Sequence, residues 1–218
     1  MTYWIEVAAR LIDGMGLSLF LFAVTAATAF PIALLLAVVG RKEKRVGHRI
    51  LGIYTWLFRG TPLMLQLFFF MYGLPAVGIR LPRFAVAVVA FFLNYTAYFV
   101  EIIRAGLESI DRDQAEAAAV MGASTAQTYR YVMLPQAISR QYPVIASELI
   151  NLIKDTSLVT VIALADVMRI VQEIVSRDFT VSPFVLAAAF YLLFSALIVG
   201  IFRRLAAERI PTTPELTA

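Results

Sequence analysis

The sequence predicts an all-α integral membrane protein with five transmembrane helices in one domain. Hydrophobic residues make up 61% of the 218 residues and charged residues only 16%, a composition far from that of soluble globular domains. Five apolar segments approach or exceed the length of about 20 residues that a helix needs to cross a bilayer. They are predicted at residues 14–40, 62–79, 84–106, 143–165 and 183–202. Cysteine is absent, which excludes a disulfide framework.

The first predicted span, residues 14–40, carries no charged residue. Residues 3–13 mix charged and apolar side chains at helical spacing, which predicts a helix lying in the membrane interface. Residues 41–49 read RKEKRVGHR, and such a density of positive charge marks the cytoplasmic side of a membrane protein. We therefore expect the N-terminus outside and the C-terminus in the cytoplasm. A nucleic-acid patch is the other interpretation of this cluster, but short basic clusters beside spans are common, and we expect no nucleic-acid partner.

The second span begins after an interruption, because residues 59–62 read RGTP. Thr61 is suited to cap a helix and Pro62 to occupy its first turn, so a helix is predicted to restart here. Short or broken spans in transporters tend to lie beside the path of the solute. Gln66, one turn further on, is expected either to face a cavity or to make a hydrogen bond between helices.

The third and fourth predicted spans each carry a stripe of polar side chains. Spacings of i, i+4, i+7 and of i, i+3, i+7 put the members of each stripe on one helical face. The third-span stripe is Asn94, Tyr98 and Glu101; the fourth-span stripe is Glu148, Asn151 and Asp155, accompanied by Lys154, Thr156 and Ser157. An ionisable side chain inside a bilayer costs about 2.5–3.5 kcal/mol, so these groups are expected to line a polar interior. The other interpretation is that they hold helices together, with Arg104 neutralising Glu101.

Residues 111–136 form an Ala-rich, polar stretch between apolar blocks and predict a helical hairpin. Strong helix formers precede Gly122, which can take the left-handed conformation that ends a helix. Ser124 and Gln127 have the spacing of a capping box, so a second helix is predicted over residues 125–132, with Pro135 stopping it. The hairpin is either a docking element for another protein or an ordinary loop.

Three motifs give the chain a family resemblance. Residues 116–118 read EAA, Gly122 follows, and residues 132–135 read VMLP; this pattern resembles the EAA loop of the membrane subunits of ABC importers, which usually has Ile where this chain has Val132. The RGTPL run and the segment from Asn151 to Ile162 resemble the polar amino-acid branch, the histidine/arginine/glutamine permease-like family. The resemblance implies a type I ABC importer permease architecture. It also implies that the loop docks on an ATPase through Glu116, Ala117, Ala118, Gly122, Leu134 and Pro135.

The same resemblance implies the partners and the location of the chain. We expect ABC ATPase subunits, a second permease copy or paralogue, and an extracytoplasmic amino-acid-binding protein, all at the bacterial cytoplasmic (inner) membrane. ATP and Mg belong to the ATPase, since this chain has no phosphate-cradling GxxxxGK[ST] segment. No cofactor or metal is expected on this chain. The polar stripes are the expected pathway for a polar amino acid, because carboxylates, amides and hydroxyls can bind both of its charged groups.

Two other classes of function stay open at this point. A stand-alone channel or proton-coupled carrier would use the membrane carboxylates as relays, but it leaves the hairpin unexplained. An intramembrane enzyme would need a metal site or an activated nucleophile, and the sequence has neither HExxH nor GxSxG. We therefore predict a transport subunit and not an enzyme.

Overall fold

The computed structural model describes residues 2–42 and 46–209, and these residues form helices and turns without a β-strand. Residues 43–45, part of the predicted basic loop, lie outside the described residues. The helices are α1 Thr2–Lys42, α2 Val46–Gly60, α3 Leu63–Phe68, α4 Arg83–Glu108, α5 Arg112–Val120, α6 Thr125–Gln127, α7 Leu134–Arg140, α8 Tyr142–Asp155, α9 Val167–Asp178 and α10 Ser182–Arg209. The predicted all-α class is confirmed.

Three of the described helices are long and apolar enough to cross a membrane, namely α1, α4 and α10. The pair α2 and α3, which bends by 99° at the break between them, counts as a fourth span if it is taken as one. The predicted fourth span, residues 143–165, corresponds to α8 and the 3-10 segment Thr156–Ile162, which does not meet that test. The count of five spans stays a prediction.

α4 is the central helix of the fold. Within its most apolar stretch 61% of residues are buried, against 22% for α1 and 6% for α10. Ala29, Ala33 and Ala37 of α1 are almost completely buried in the cluster that contains the core face of α4. Small side chains let two membrane helices approach closely, so the α1–α4 pair forms the centre against which the other helices pack.

The amphipathic helix α9 packs against the N-terminal half of α1. The predicted interfacial helix at 3–13 is continuous with the first span, since both belong to α1. Its apolar side is partly covered by α9. Asp166 caps α9, since its carboxylate accepts hydrogen bonds from the N–H groups of Met168 (2.9 Å) and Arg169 (3.1 Å). Burial raises the pKa of Asp166 to about 6.

The hairpin that follows α4 begins as the sequence predicts. Gly122 has φ of 82°, and the N–H groups of Gly122 and Ala123 bond to the carbonyls of Ala119 and Ala118, which is a Schellman ending for α5. The predicted capping box of Ser124 and Gln127 is present at α6.

Two local predictions about helix boundaries are wrong. Pro135 does not stop the second hairpin helix, which runs on to Arg140 as α7. A wider turn over Thr128–Met133 precedes the proline and accommodates a residue that lacks an N–H donor. Thr61 does not cap α3; its hydroxyl donates to the carbonyl of Leu57 (2.9 Å) at the end of α2.

Gly106 of α4 lies where this helix packs against α7 of the hairpin. A Cβ atom added there would lie 2.8 Å from the carbonyl oxygen of Ala137 in α7 and 2.8 Å from Cγ of Gln141. The first of these is a backbone atom and cannot give way cheaply. The close approach of α4 and α7 therefore requires glycine at this position.

We predict that Gly106→Ala lowers the free energy of unfolding by about 1–3 kcal/mol, because it overpacks this contact. Gly16→Ala in α1 is the matched control, since a Cβ there meets nothing within 4 Å and alanine favours helix. Thermal unfolding of the two purified variants in the same detergent makes the comparison. Equal melting temperatures would show that α4 and α7 do not touch at Gly106.

Candidate functional site

A cavity of about 390 Å³ opens where the break between α2 and α3 faces α4 and α8, and we call it the main cavity. Its lining is rich in charged and polar groups. The lining residues are Arg59, Gly60, Thr61, Pro62, Leu63, Asn94, Tyr95, Tyr98, Glu148, Asn151 and Asp155. Five of the ten predicted pathway residues are among them: Asn94, Tyr98, Glu148, Asn151 and Asp155.

Gln66 and Asn94 stabilise the break that shapes the main cavity. The Gln66 amide nitrogen donates to the carbonyls of Phe58 (2.9 Å) and Thr61 (3.1 Å). The Asn94 amide nitrogen donates to the same Phe58 carbonyl (3.0 Å) and to Oε1 of Gln66 (3.2 Å). These bonds satisfy carbonyls that the end of α2 leaves without helical partners. Gln66 thus makes the interhelical hydrogen bond that was one of its two interpretations, and it lies outside the main-cavity lining.

Glu101 also lies outside the main cavity, one turn of α4 beyond Tyr98. Its carboxylate accepts two hydrogen bonds from Arg104, at 3.0 and 2.5 Å, and lies 3.8 Å from the guanidinium of Arg59. The neutralising pair with Arg104 that the spacing suggested is therefore present.

The polar residues at the end of α8 separate into two groups. Glu148, Asn151 and Asp155 share the face that lines the main cavity. Lys154 is exposed on another face, because adjacent residues of a helix point about 100° apart. Thr156 is buried and its hydroxyl donates to the carbonyl of Ile153 (2.7 Å). Ser157 is partly buried and also outside this lining.

Tyr95 is a site residue that the sequence reasoning missed. Its ring is 1% exposed and stacks on Phe91, and its hydroxyl donates to Oδ2 of Asp155 at 2.7 Å. The bond fixes the Asp155 carboxylate at the wall of the main cavity. A signal was available, because Tyr95 lies three residues before Tyr98 and a buried tyrosine hydroxyl requires a polar partner.

Arg59 is the second missed residue, since its sequence position indicated only a helix break. Its guanidinium lies over the ring of Tyr98, 5.4 Å from the centroid, a cation–π geometry. The main cavity thus presents a cation, Arg59, and two carboxylates, Glu148 and Asp155. Such a lining can bind a small molecule that carries both an anionic and a cationic group.

The predicted coupling residues lie in the hairpin between α4 and α8. No residue of α5 is buried, and Glu116 and Ala117 are exposed while Ala118 is partly covered. Val120 and Met121 are each 86% exposed. They are large apolar side chains exposed in a loop outside the predicted spans. The sequence reasoning missed these two residues, although both lie inside the predicted helix.

The other side of the hairpin is fixed to α4. The Arg140 guanidinium donates to the carbonyl of Ser109 at the end of α4, and Gln136 donates to Oε1 of Gln114 (3.3 Å). Leu134 is partly buried and Pro135 exposed. α5 therefore faces outward, and the hairpin that carries it is bonded to the end of the central helix α4.

Comparison with known proteins adds relatives over most of the chain. The chain is 37% identical over 183 residues to the arginine transport system permease protein ArtQ of Bacillus subtilis (strain 168), covering 83% of this chain and 84% of that protein. It is 33% identical over 198 residues to the glutamine transport system permease protein GlnP of Escherichia coli (strain K12), covering 89% and 90%.

Solved structures share the fold. A crystal structure of an amino acid ABC transporter with histidines has a TM-score of 0.85 at 29% identity, covering 95% of this chain and 97% of that one. An inward-facing structure of the MetNI methionine ABC transporter has a TM-score of 0.78 and covers 92% and 96%, but at 18% identity it supports the fold alone. The predicted type I importer permease fold is confirmed by these neighbours.

The family model matches residues 29–210, which is well over half of the chain. This chain belongs to the family described as the binding-protein-dependent transport system inner membrane component.

Proposed function

We propose that this chain is the membrane-spanning subunit of an ATP-driven amino-acid importer and that the main cavity holds the amino acid during transport. One observation carries the proposal: Arg59 and the pair Glu148 and Asp155 line the same small cavity. The volume of about 390 Å³ is at the small end of the range for ligand pockets. The names of the relatives, which include arginine and glutamine permeases, support an amino acid as the solute.

Membership of this family supports the proposal. Its members are membrane transport components, so the prediction of a transport subunit and not an enzyme is confirmed. Membership implies a location in the inner membrane, an ATPase partner, a substrate-binding protein and a dimeric arrangement.

The proposed binding mode uses both charges of the amino acid. Its carboxylate pairs with the guanidinium of Arg59, which can bind it through two parallel hydrogen bonds. Its ammonium group lies between Glu148 and Asp155, with Asp155 held in place by Tyr95. Asn151, which lines the same cavity, is available for the side chain of the substrate. The mode requires no cofactor on this chain.

The proposed coupling route starts at the hairpin. Glu116, Ala117, Ala118 and Gly122 dock on the ATPase, which carries the ATP and Mg, while Leu134 and Pro135 link the docking helix to α7. Closure of the ATPase then moves α5 and α4 together, as a rigid-body displacement. Access to the main cavity changes because Asn94 and Tyr98 lie on the moving helix.

The proposed arrangement in the membrane places the N-terminus outside and the C-terminus in the cytoplasm, as the basic residues at 41–49 favour. A second permease copy or a paralogue covers the exposed Lys154 of α8, which is costly against lipid. An extracytoplasmic amino-acid-binding protein delivers the substrate at the opposite end from the hairpin.

Asp155→Asn is expected to reduce ATP-driven uptake of the transported amino acid by roughly 10- to 100-fold. The change removes a charged partner of the ammonium group, and such bonds are worth about 1.5–3 kcal/mol. The measurement is uptake into proteoliposomes that contain the permease, its ATPase and the binding protein. Glu173→Gln on α9 is the control, since it removes only exposed ion pairs with Arg10 and Arg169.

ATP hydrolysis by the Asp155→Asn complex should persist, because the hairpin is untouched. Uptake at the wild-type rate would contradict the proposed site. Uptake without the ATPase would favour a stand-alone carrier instead.

Gly122→Val is expected to abolish uptake and to weaken ATPase binding, whereas Gly122→Asn should retain most of both. Gly122 has φ of 82°, where a β-branched residue is strongly disfavoured and asparagine is tolerated. Co-purification of the ATPase with each variant measures docking, and uptake measures coupling. Equal behaviour of the two variants would show that the left-handed turn does not position the docking helix.

A further inference from the structure

A second cavity, of about 350 Å³, lies next to the main cavity and is not used by the function proposed above. It is enclosed by the end of α1, by α2 and by the second half of α4. Its charged and polar lining includes His48, Thr55, Arg59, Glu101, Arg104 and Glu108. We call it the Glu101 cavity.

Arg59 is the residue that the linings of the two cavities share. Its guanidinium lies over Tyr98, which lines the main cavity, and 3.8 Å from Glu101, which lines the other. A separation of 3.8 Å is an ion pair without a hydrogen bond. Arg59 therefore lies at the boundary between the two cavities and interacts with a residue of each.

The two Arg104 ion pairs of the Glu101 cavity do little to hold the fold together. Arg104 pairs with Glu101 and Glu108, which are three residues before it and four after it on the same helix. Pairs within one helix, with Arg104 and Glu108 about half exposed, contribute only a few tenths of a kcal/mol. These two pairs do not tie α4 to a neighbouring helix, whereas the 3.8 Å contact of Glu101 with Arg59 links α4 to α2.

The two cavities offer the same binding chemistry. Each has guanidinium and carboxylate groups: Arg59 with Glu148 and Asp155 in the first, and Arg59 and Arg104 with Glu101 and Glu108 in the second. Glu101 is already held by two bonds from Arg104, whereas Glu108 is 58% exposed and has one. Glu108 is thus the carboxylate that can take up an added ammonium group.

We propose that the Glu101 cavity is a second binding site for the transported amino acid, on the cytoplasmic side, and that Arg59 carries the carboxylate from the main cavity into it. The proposal rests on the function proposed above. The guanidinium of Arg59 stays bonded to the carboxylate of the amino acid while the arginine side chain turns from Tyr98 toward Glu101. The ammonium group leaves Asp155 and Glu148 for Glu108. His48, which belongs to the basic segment 41–49, places this site on the side where the positive charge is expected to face the cytoplasm.

The absence of cysteine allows single cysteines to report on each cavity. Gly60 lines the main cavity and Gly52 the Glu101 cavity, and a Cβ at either meets nothing within 4 Å. We would prepare Gly60→Cys and Gly52→Cys in the assembled complex with the ATPase and measure the rate of maleimide alkylation with and without L-arginine and L-glutamine. Gly200→Cys in α10 is the control, because a Cβ there also meets nothing within 4 Å and its position is in neither lining.

The proposal predicts that one of the two amino acids slows alkylation several-fold in both Gly60→Cys and Gly52→Cys and not in Gly200→Cys. Adding Glu108→Gln should remove the protection in Gly52→Cys and leave that in Gly60→Cys. Protection in Gly60→Cys alone would overturn the second site and leave the proposed function standing. Protection in neither would overturn both.

Protection in Gly52→Cys that survives Glu108→Gln would mean that the cavity closes without holding the ligand, and it would also overturn the second site.

Discussion

The break between α2 and α3 is the constraint on which the rest of the site depends. A bilayer offers no hydrogen-bond partner to a free backbone carbonyl, so an interrupted helix at membrane depth must be satisfied from within the protein. Gln66 and Asn94 do this by donating to the Phe58 carbonyl, and Asn94 also donates to Oε1 of Gln66. The bend of 99° that they stabilise opens the space for the main cavity and brings Arg59 to its edge.

The central helix α4 connects this site to the hairpin. Along α4 lie Asn94 at the break, Tyr95 against Asp155 and Gly106 against α7. Arg140 then bonds to Ser109 at the end of the helix. In the proposed function, a displacement of the hairpin reaches the cavity through this single continuous helix. The coupling proposed between α5 and the main cavity depends on this geometry.

Local sequence signals were sufficient where structure is determined by neighbours along the chain. Gly122 and the Ser124–Gln127 capping box were predicted from conformational preference and spacing, and α4 covers the predicted third span. The signal failed at Pro135, because proline excludes a regular helix but not a wider turn before it. Spacing also found the two polar stripes, since residues on one helical face share an environment.

The spacing of residues along the sequence does not show which distant residue each side chain contacts. Gln66 fitted a pathway as well as Asn94 and Asp155 did, but its amide bonds to the Phe58 carbonyl at the helix break and lies outside the main-cavity lining. Glu101 lies in the neighbouring Glu101 cavity and pairs with Arg104 of its own helix, as the spacing suggested. Arg59 and Tyr95 were missed for the same reason, because their roles arise from partners 39 and 60 residues away.

Cryo-electron microscopy of the complete complex, with the permease and its ATPase in lipid nanodiscs and saturated with L-arginine or L-glutamine, tests this account most directly. We expect amino-acid density between Arg59 and Asp155 and contact of α5 with the ATPase. Amino-acid density elsewhere with the main cavity empty, or an ATPase that does not touch α5, would contradict it.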